Sequence, residues 1–228
     1  MLRVPGKPNA SVPILRSKVP KSDGFVVLPQ PLLKAMVKLA GTLKGLDEMW
    51  VIGGNAGELA LGVGVTPDHL DILTTKKGCD AICALFSKLQ SPPAATPVVA
   101  TGDATASPQT VPEKSPPPAS SIVPTATSTK VEREAEIDGK KYPVYVWSHY
   151  AEFKLDGVQV KVYGDLQIKV GEWEWGTPLI FEPSNVNIVG ATLPIFPLRL
   201  KSELYLGLGW MDRVEKISDA FTRSQPHP

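Results

Sequence analysis

The stretch from Ser91 to Thr129 constrains this chain more than any other feature. It holds nine prolines, thirteen Ser or Thr and seven Ala, with only Asp103, Glu113 and Lys114 charged and no aromatic residue. A polymer of this kind cannot bury enough apolar surface to offset the entropy of ordering it. It is expected to be disordered, with polyproline II character near Pro116, Pro117 and Pro118. It is also too long for an ordinary loop in a compact domain. Neither flank alone reads as a complete sheet, and loop-closure entropy grows only slowly with length. The expected organisation is therefore one domain made of 25–90 and 130–222, with 91–129 as an insertion and 1–24 as an arm.

The arm carries Arg3, Lys7, Arg16, Lys18 and Lys21 against the single acid Asp23, and is broken by Pro5, Pro8, Pro13 and Pro20. It reads as a basic, flexible segment, and it lacks the apolar core of a secretory signal. Over the whole chain 24 Lys and Arg balance 23 Asp and Glu, which excludes a polybasic protein whose affinity comes from bulk charge. No apolar run approaches the length of a membrane span. Two cysteines, Cys79 and Cys83, make neither a disulfide framework nor a metal-type cluster. A reducing, cytoplasmic setting is expected.

Periodicity gives the elements of the first flank. Pro31 to Leu43 (PLLKAMVKLAGTL) repeats at helical spacing, and Met49 to Ile52 is a short apolar strand stopped by Gly53 and Gly54. Asn55 reads as the cap of a short helix running to about Gly62. His69 to Thr74 is a second strand, and Lys77 to Leu89 an amphipathic helix with Cys79 and Cys83 on its apolar face.

After the insertion the period becomes two. Val131–Ile137 and Tyr142–Trp147 flank Asp138-Gly139, and His149–Leu155 and Val158–Tyr163 flank Asp156-Gly157; both are hairpin signals. Leu166–Val170, Leu179–Phe181 and Val186–Val189 read as further strands, and Pro197–Gly207 and Trp210–Phe221 as two closing helices. The order predicts an α/β or α+β sandwich with a mixed sheet. Trp173 and Trp175, within Gly171 to Gly176 (GEWEWG), alternate at strand spacing. They are read as packing under the closing helices, with base stacking as the sharper alternative.

The chemistry concentrates in Trp50 to Gly57 (WVIGGNAG) and Thr66 to Thr74 (TPDHLDILT). A strand ending in Gly-Gly at a helix start lets backbone N–H groups approach a triphosphate. Acids on the adjacent strand then hold divalent metal against it, and since alternate strand residues share a face, the spacing required is Asp-x-Asp.

With these residues the chain resembles the nucleotidyltransferase superfamily related to DNA polymerase beta, including its minimal and abortive-infection toxin-like members. Leu193 to Lys201 (LPIFPLRLK), Gly209 to Arg213 (GWMDR), Lys216 and Ile217 add to the resemblance. It implies a mixed β-sheet flanked by helices and Mg²⁺-dependent transfer of a nucleoside monophosphate from an NTP to an RNA, protein or small-molecule acceptor. Gly53, Gly54, Asn55 and Lys201 would face the triphosphate. Asp68, Asp71 and Asp165 would be the catalytic, metal-binding acids.

The spacing departs from the family pattern. Asp68 and Asp71 make Asp-x-x-Asp, so on a regular strand they point to opposite faces. If Asp71 fills the second metal position, His69 stands at the first, and imidazole is a poor ligand for Mg²⁺. If Asp68 fills the first, a bulge must realign Asp71. Asp165 lies beside Gly164 at an apparent bend. The alternative is therefore the same fold without catalysis, binding a nucleotide, a nucleic acid or a protein partner. Glu58 is expected on a solvated face, and Lys201 and Arg213 either contact phosphate or pair with a neighbouring acid. No Ser-His-Asp set, zinc spacing or Walker-type loop is present.

Overall fold

The computed structural model describes residues 28–90, 122–179 and 182–223. The elements are α1 (Gln30–Thr42), β1 (Trp50–Ile52), α2 (Gly54–Ala60), β2 (His69–Thr74), α3 (Lys76–Gln90) and β3 (Thr125–Lys130). After them come β4 (Ala135–Ile137), β5 (Lys140–Tyr142), β6 (Val144–Leu155), β7 (Val158–Val170), β8 (Ser184–Ile188), β9 (Ala191–Ile195), α4 (Leu198–Gly207) and α5 (Met211–Arg223). Seven strands form one sheet in the order β3-β6-β7-β2-β1-β9-β8, while β4 and β5 make a separate hairpin. The β2–β7 and β1–β9 pairs are parallel and the other pairs antiparallel. This is the expected mixed α+β sheet, and strands from both sides of the Pro-rich stretch lie in it side by side.

A single-residue step along the sheet separates its core from its chemistry. The row Ala151–Val162–Ile72–Ile52–Ile195 crosses five strands in register. All five side chains are buried, in one core with Met36 and Leu39 of α1 and Cys79, Ile82 and Phe86 of α3. The next row, Glu152–Lys161–Asp71, faces the other way, because the side-chain period of a strand is two. The core face is fixed by volume: Phe86 stacks on Phe153 at a centroid distance of 4.4 Å. Cys79 and Cys83 are fully buried there, as their helical spacing predicts.

The two expected hairpins form, with left-handed φ at Asp138-Gly139 and Asp156-Gly157, the geometry of two-residue type I′ turns. Several expectations are corrected. Tyr142–Trp147 and His149–Leu155 are not two strands: β6 runs through from Val144, and β7 likewise joins Val158–Tyr163 to Leu166–Val170. The register shifts between Trp147 and His149, so that Ser148 opposes both Asp165 and Leu166 in a β-bulge. Trp173 lies outside any strand and packs on Tyr142 at 5.8 Å, in a cluster with Val144, Val170 and Leu208, while Trp175 is exposed. The hairpin of β8 and β9 was not foreseen.

The insertion ends earlier than expected. Thr125–Lys130, assigned to the Pro-rich stretch up to Thr129, is the edge strand β3, paired along its length with β6. The Ile122 amide donates to Ser87 Oγ on α3 at 2.9 Å, so the chain returns beside the helix it left. The arm 1–24, residues 91–121 and Ile180–Phe181 lie outside the described residues. Replacing 91–121 by a Gly/Ser linker of about six residues is expected to leave Tm unchanged or raise it, since each halving of a flexible loop removes about 0.6 kcal/mol of closure cost. Thermal unfolding followed by circular dichroism checks this, and a fall of about 10 °C would show that the segment is part of the fold.

Candidate functional site

β1 ends at Ile52 and the chain turns into α2 through Gly53, whose extended conformation makes it the N-cap. Asn55, expected as the cap, is instead inside the helix. Its Oδ1 accepts from Arg213 Nη1 at 3.2 Å. Gly54 has φ +54°, and a Cβ built there would lie 1.8 Å from Asp71 Oδ2. Only a glycine lets the Asp71 carboxylate come this close to the turn. The Gly53 amide also donates to the Asp71 carbonyl at 2.8 Å. The turn and the in-strand acid are thus brought together, as the motif predicts.

β2 keeps an unbroken register with β7 from His69 to Thr74. No bulge realigns it, so the same-face positions are His69, Asp71 and Leu73, and Asp68 lies before the strand. Asp68 is 84% exposed and sits against His69, its Oδ1 2.6 Å from Nδ1. Asp71 Oδ1 lies 3.2 Å from His69 Nε2 on the other side of the ring. One imidazole is therefore held between the two carboxylates. Only the imidazolium has a proton on both nitrogens, and the close approach of Asp71 accordingly raises the His69 pKa, against burial and the Lys161 charge. For Asp68, desolvation works against ionisation. Its own backbone amide and the His69 charge outweigh that and hold the carboxyl below the usual range. The Nε2–H is not aligned on Asp71 Oδ1, so this buried oxygen meets the imidazole as a close charge contact and has no hydrogen-bond partner.

Asp165 does not join this group. Asp71 is level with Lys161 in the parallel β2–β7 register, so Asp165 lies four residues further on, about 13 Å along the strand, in the bulge with φ +51°. Lys161 stands where an acid facing Asp71 would be needed. Beyond it Glu152 accepts from Gln159 Nε2 at 2.5 Å and from the Tyr150 hydroxyl. Those two bonds hold its carboxyl low. Tyr150 and Tyr163 approach at 5.4 Å on this face, and burial chiefly, then the neighbouring acids, push both phenols up.

The donor set does not fit the Mg²⁺ pair that the fold family implies. Asp68 and Asp71 do not converge, because His69 lies between them, and Asp165 is remote. Two basic side chains, His69 and Lys161, flank the one acid that faces the turn. Among the described residues no cluster of three or more His, Cys, Asp or Glu is placed to hold a metal ion.

Lys201 takes the second of its two expected roles, pairing with an acid, and that acid is Glu58, which is not where it was expected. Glu58 is 1% exposed rather than solvated. Lys201 Nζ lies 2.8 Å from Glu58 Oε1 and donates to the Gly54 carbonyl at 2.6 Å. The Tyr205 hydroxyl donates to Glu58 Oε1 at 2.7 Å, and Arg213 Nη1 is 3.5 Å from Oε2. Burial lowers the Lys201 pKa, and the Glu58 charge opposes that shift. Lys201 is thus a positioning residue that fixes the Gly54 peptide and α2 against α4, and is engaged before any phosphate arrives. Breaking such a buried pair by removing one partner typically costs about 3–5 kcal/mol. Sequence reasoning missed Glu58 because a seven-residue helix gives too few turns to tell its faces apart.

The His69 clamp has a measurable signature. A raised folded-state pKa means that its contribution to stability is complete below the ordinary value of 6.5 and is lost as pH rises through the folded value. In ¹H–¹⁵N spectra of the imidazoles, His69 is expected to titrate above 6.5, and Asp71→Asn to bring it back down. A His69 that titrates at or below the ordinary value would contradict the clamp.

No protein-family model and no curated protein matches the chain. Among solved structures, a Thermotoga maritima protein provisionally classed as a nucleotidyltransferase is similar, with a TM-score of 0.53 and 19% identity over 86% of this chain and 96% of that one. No described helix is long and apolar enough to cross a membrane. The chain has a nucleotidyltransferase-like fold, a large mixed sheet flanked by helices.

Proposed function

We propose that this chain is a nucleotidyltransferase-fold binding module that holds a phosphate-bearing ligand, an NTP in the first instance, at the Gly53–Gly54 turn without two-metal transfer. The observation that carries this reading is the His69 imidazole lying between Asp68 and Asp71. It occupies the space in which two carboxylates would have to share a cation. Positive charge reaches the turn from the protein instead, through protonated His69 and through Lys161, which is level with Asp71 on the neighbouring strand. A fixed ammonium neutralises phosphate charge but does not activate a hydroxyl as a bound metal does.

The second reading is active, Mg²⁺-dependent transfer to RNA, a protein or a small molecule. Its support is Asp71 Oδ1, buried without a hydrogen-bond partner, on a side chain that meets Gly54. It requires Asp68 and Asp165 to move to Asp71. The resemblance to the toxin-like group at Leu193–Lys201 and Gly209–Arg213 favours either reading equally, since those segments build the α2–α4–α5 contact and not the acids.

The test pairs transfer with binding. The folded chain is incubated with each α-labelled NTP, Mg²⁺ or Mn²⁺, total RNA and protein extract, and NTP binding is followed by calorimetry in EDTA. No label transfer is expected. Metal-free binding is expected to weaken at least about tenfold in Lys161→Glu, a loss of about 1.4 kcal/mol. Metal-dependent label transfer abolished in Asp71→Asn would establish the second reading and overturn the first. So would NTP binding that appears only with divalent metal.

A further inference from the structure

The face of the sheet opposite Asp71 continues past the end of α3, and there its character changes. Three rows cross β3, β6 and β7 in register: Lys130–Tyr145–Lys169, Ser128–Trp147–Gln167 and Ala126–His149–Gly164. Paired residues share a face, so Tyr145, Trp147 and His149 stand in line on the side where Ala151 and Phe153 meet α3. The first turn of α3 reaches only as far as the last row. Gly164 lies against Thr75, Lys76 and Cys79, and the Cys79 thiol donates to the His149 carbonyl at 3.4 Å. Beyond that row Tyr145 and Trp147 belong to none of the packed apolar clusters among the described residues. They are half-buried, flanked by exposed Lys130 and Ser128 on β3 and half-buried Lys169 and Gln167 on β7.

We propose that this three-strand surface binds single-stranded nucleic acid, with Tyr145 and Trp147 as stacking platforms and Lys130 and Lys169 as backbone contacts. Charge complementarity selects the occupant. The nine positions of the three rows hold two lysines and no acid; beside them at the start of α3, Lys76 lies 3.7 Å from Asp80, so that pair adds no net charge. The nearest acid along β7, Asp165, lies past the His149 row in the bulge. Aromatic rings flanked by lysines on an exposed sheet face suit bases that are splayed and stacked, with phosphates held at the rim. Alternate strand residues are about 6.8 Å apart, twice the roughly 3.4 Å rise of a nucleic-acid strand. Successive rings therefore take bases already pulled out of mutual stacking, which a duplex does not offer. The His149 ring stands edge-on to Trp147, with centroids 5.1 Å apart and planes at 76°, and so holds the indole in place before a base arrives. The surface is separate from the Gly53–Gly54 turn and does not depend on what that turn binds.

Fluorescence anisotropy of the full chain with labelled mixed-sequence RNA and DNA single strands, and with the corresponding duplex, tests the proposal at several salt concentrations. Single strands are expected to bind more tightly than duplex, and whichever sugar binds tighter identifies the natural strand. Tyr145→Ala and Trp147→Ala are each expected to weaken binding at least about fivefold. Lys130→Gln and Lys169→Gln should each lower the slope of log K against log salt by about 0.7, while Lys34→Gln on α1 changes neither quantity. Circular dichroism confirms the fold of each variant, and the two lysine variants decide the matter if an aromatic one unfolds. Absence of single-strand binding at low salt, equal or tighter binding of duplex, or affinity and salt slope unmoved by these substitutions would overturn the proposal.

Discussion

The geometry around Asp71 rests on the absence of one carbon atom. Gly54 has no Cβ, and the space it leaves is filled by the Asp71 carboxylate, whose Oδ2 would meet that carbon at 1.8 Å. The turn has φ +54° at Gly54, a conformation that other residues adopt only at a cost. What holds it is the Glu58–Lys201–Tyr205–Arg213 network, through the bond from Lys201 to the Gly54 carbonyl. Charges buried this deeply are weak stabilisers in net terms, and breaking them is costly. Their consequence here is positional. They tie α2 to α4 and α5, so the short β1–α2 turn is placed by helices about 150 residues further along the chain.

From that placement follows the electrostatic character of the site. A strand alternates its faces, so the apolar Ile72 row and the charged Asp71 row are one residue apart. The charged row continues into Lys161 and Glu152, and His69 closes it toward Asp68. Acid and base alternate along the row, so Asp71 and Glu152 are separated by Lys161 and do not converge. Two metal ions would need several uncompensated carboxylates converging on one point. The fold is nucleotidyltransferase-like, and fold alone does not confer a reaction.

Much of this architecture is legible in the residues. α1, α3 and β2 follow from hydrophobic period, and Asp138-Gly139 and Asp156-Gly157 announce their hairpins because Asp tolerates left-handed φ better than most residues and Gly adopts it freely. The β8–β9 hairpin has the same geometry at Val189-Gly190, yet a β-branched residue gives no turn signal, so only the finished sheet reveals it. Thr125–Lys130 has the composition of the Pro-rich stretch and becomes a strand solely because β6 offers it a partner. The Asp-x-x-Asp spacing correctly places His69 and Asp71 on one face. It says nothing of Asp68 folding back onto the neighbouring imidazole, a local turn that the pattern leaves open, nor of Lys161 standing beside Asp71, since β7 lies across the insertion. The resemblance implies Asp165 as the third acid, and only the register shows it to be too far along β7 from Asp71.

His69, and not a metal pair, occupies the space between the two acids. Mn²⁺ titration of the folded chain, read by the electron paramagnetic resonance of the free ion, tests it most directly. No saturable uptake is expected near pH 6, where the clamp is protonated, and no difference between the native chain and Asp71→Asn. A saturable Mn²⁺ site at that pH that disappears in Asp71→Asn would contradict it.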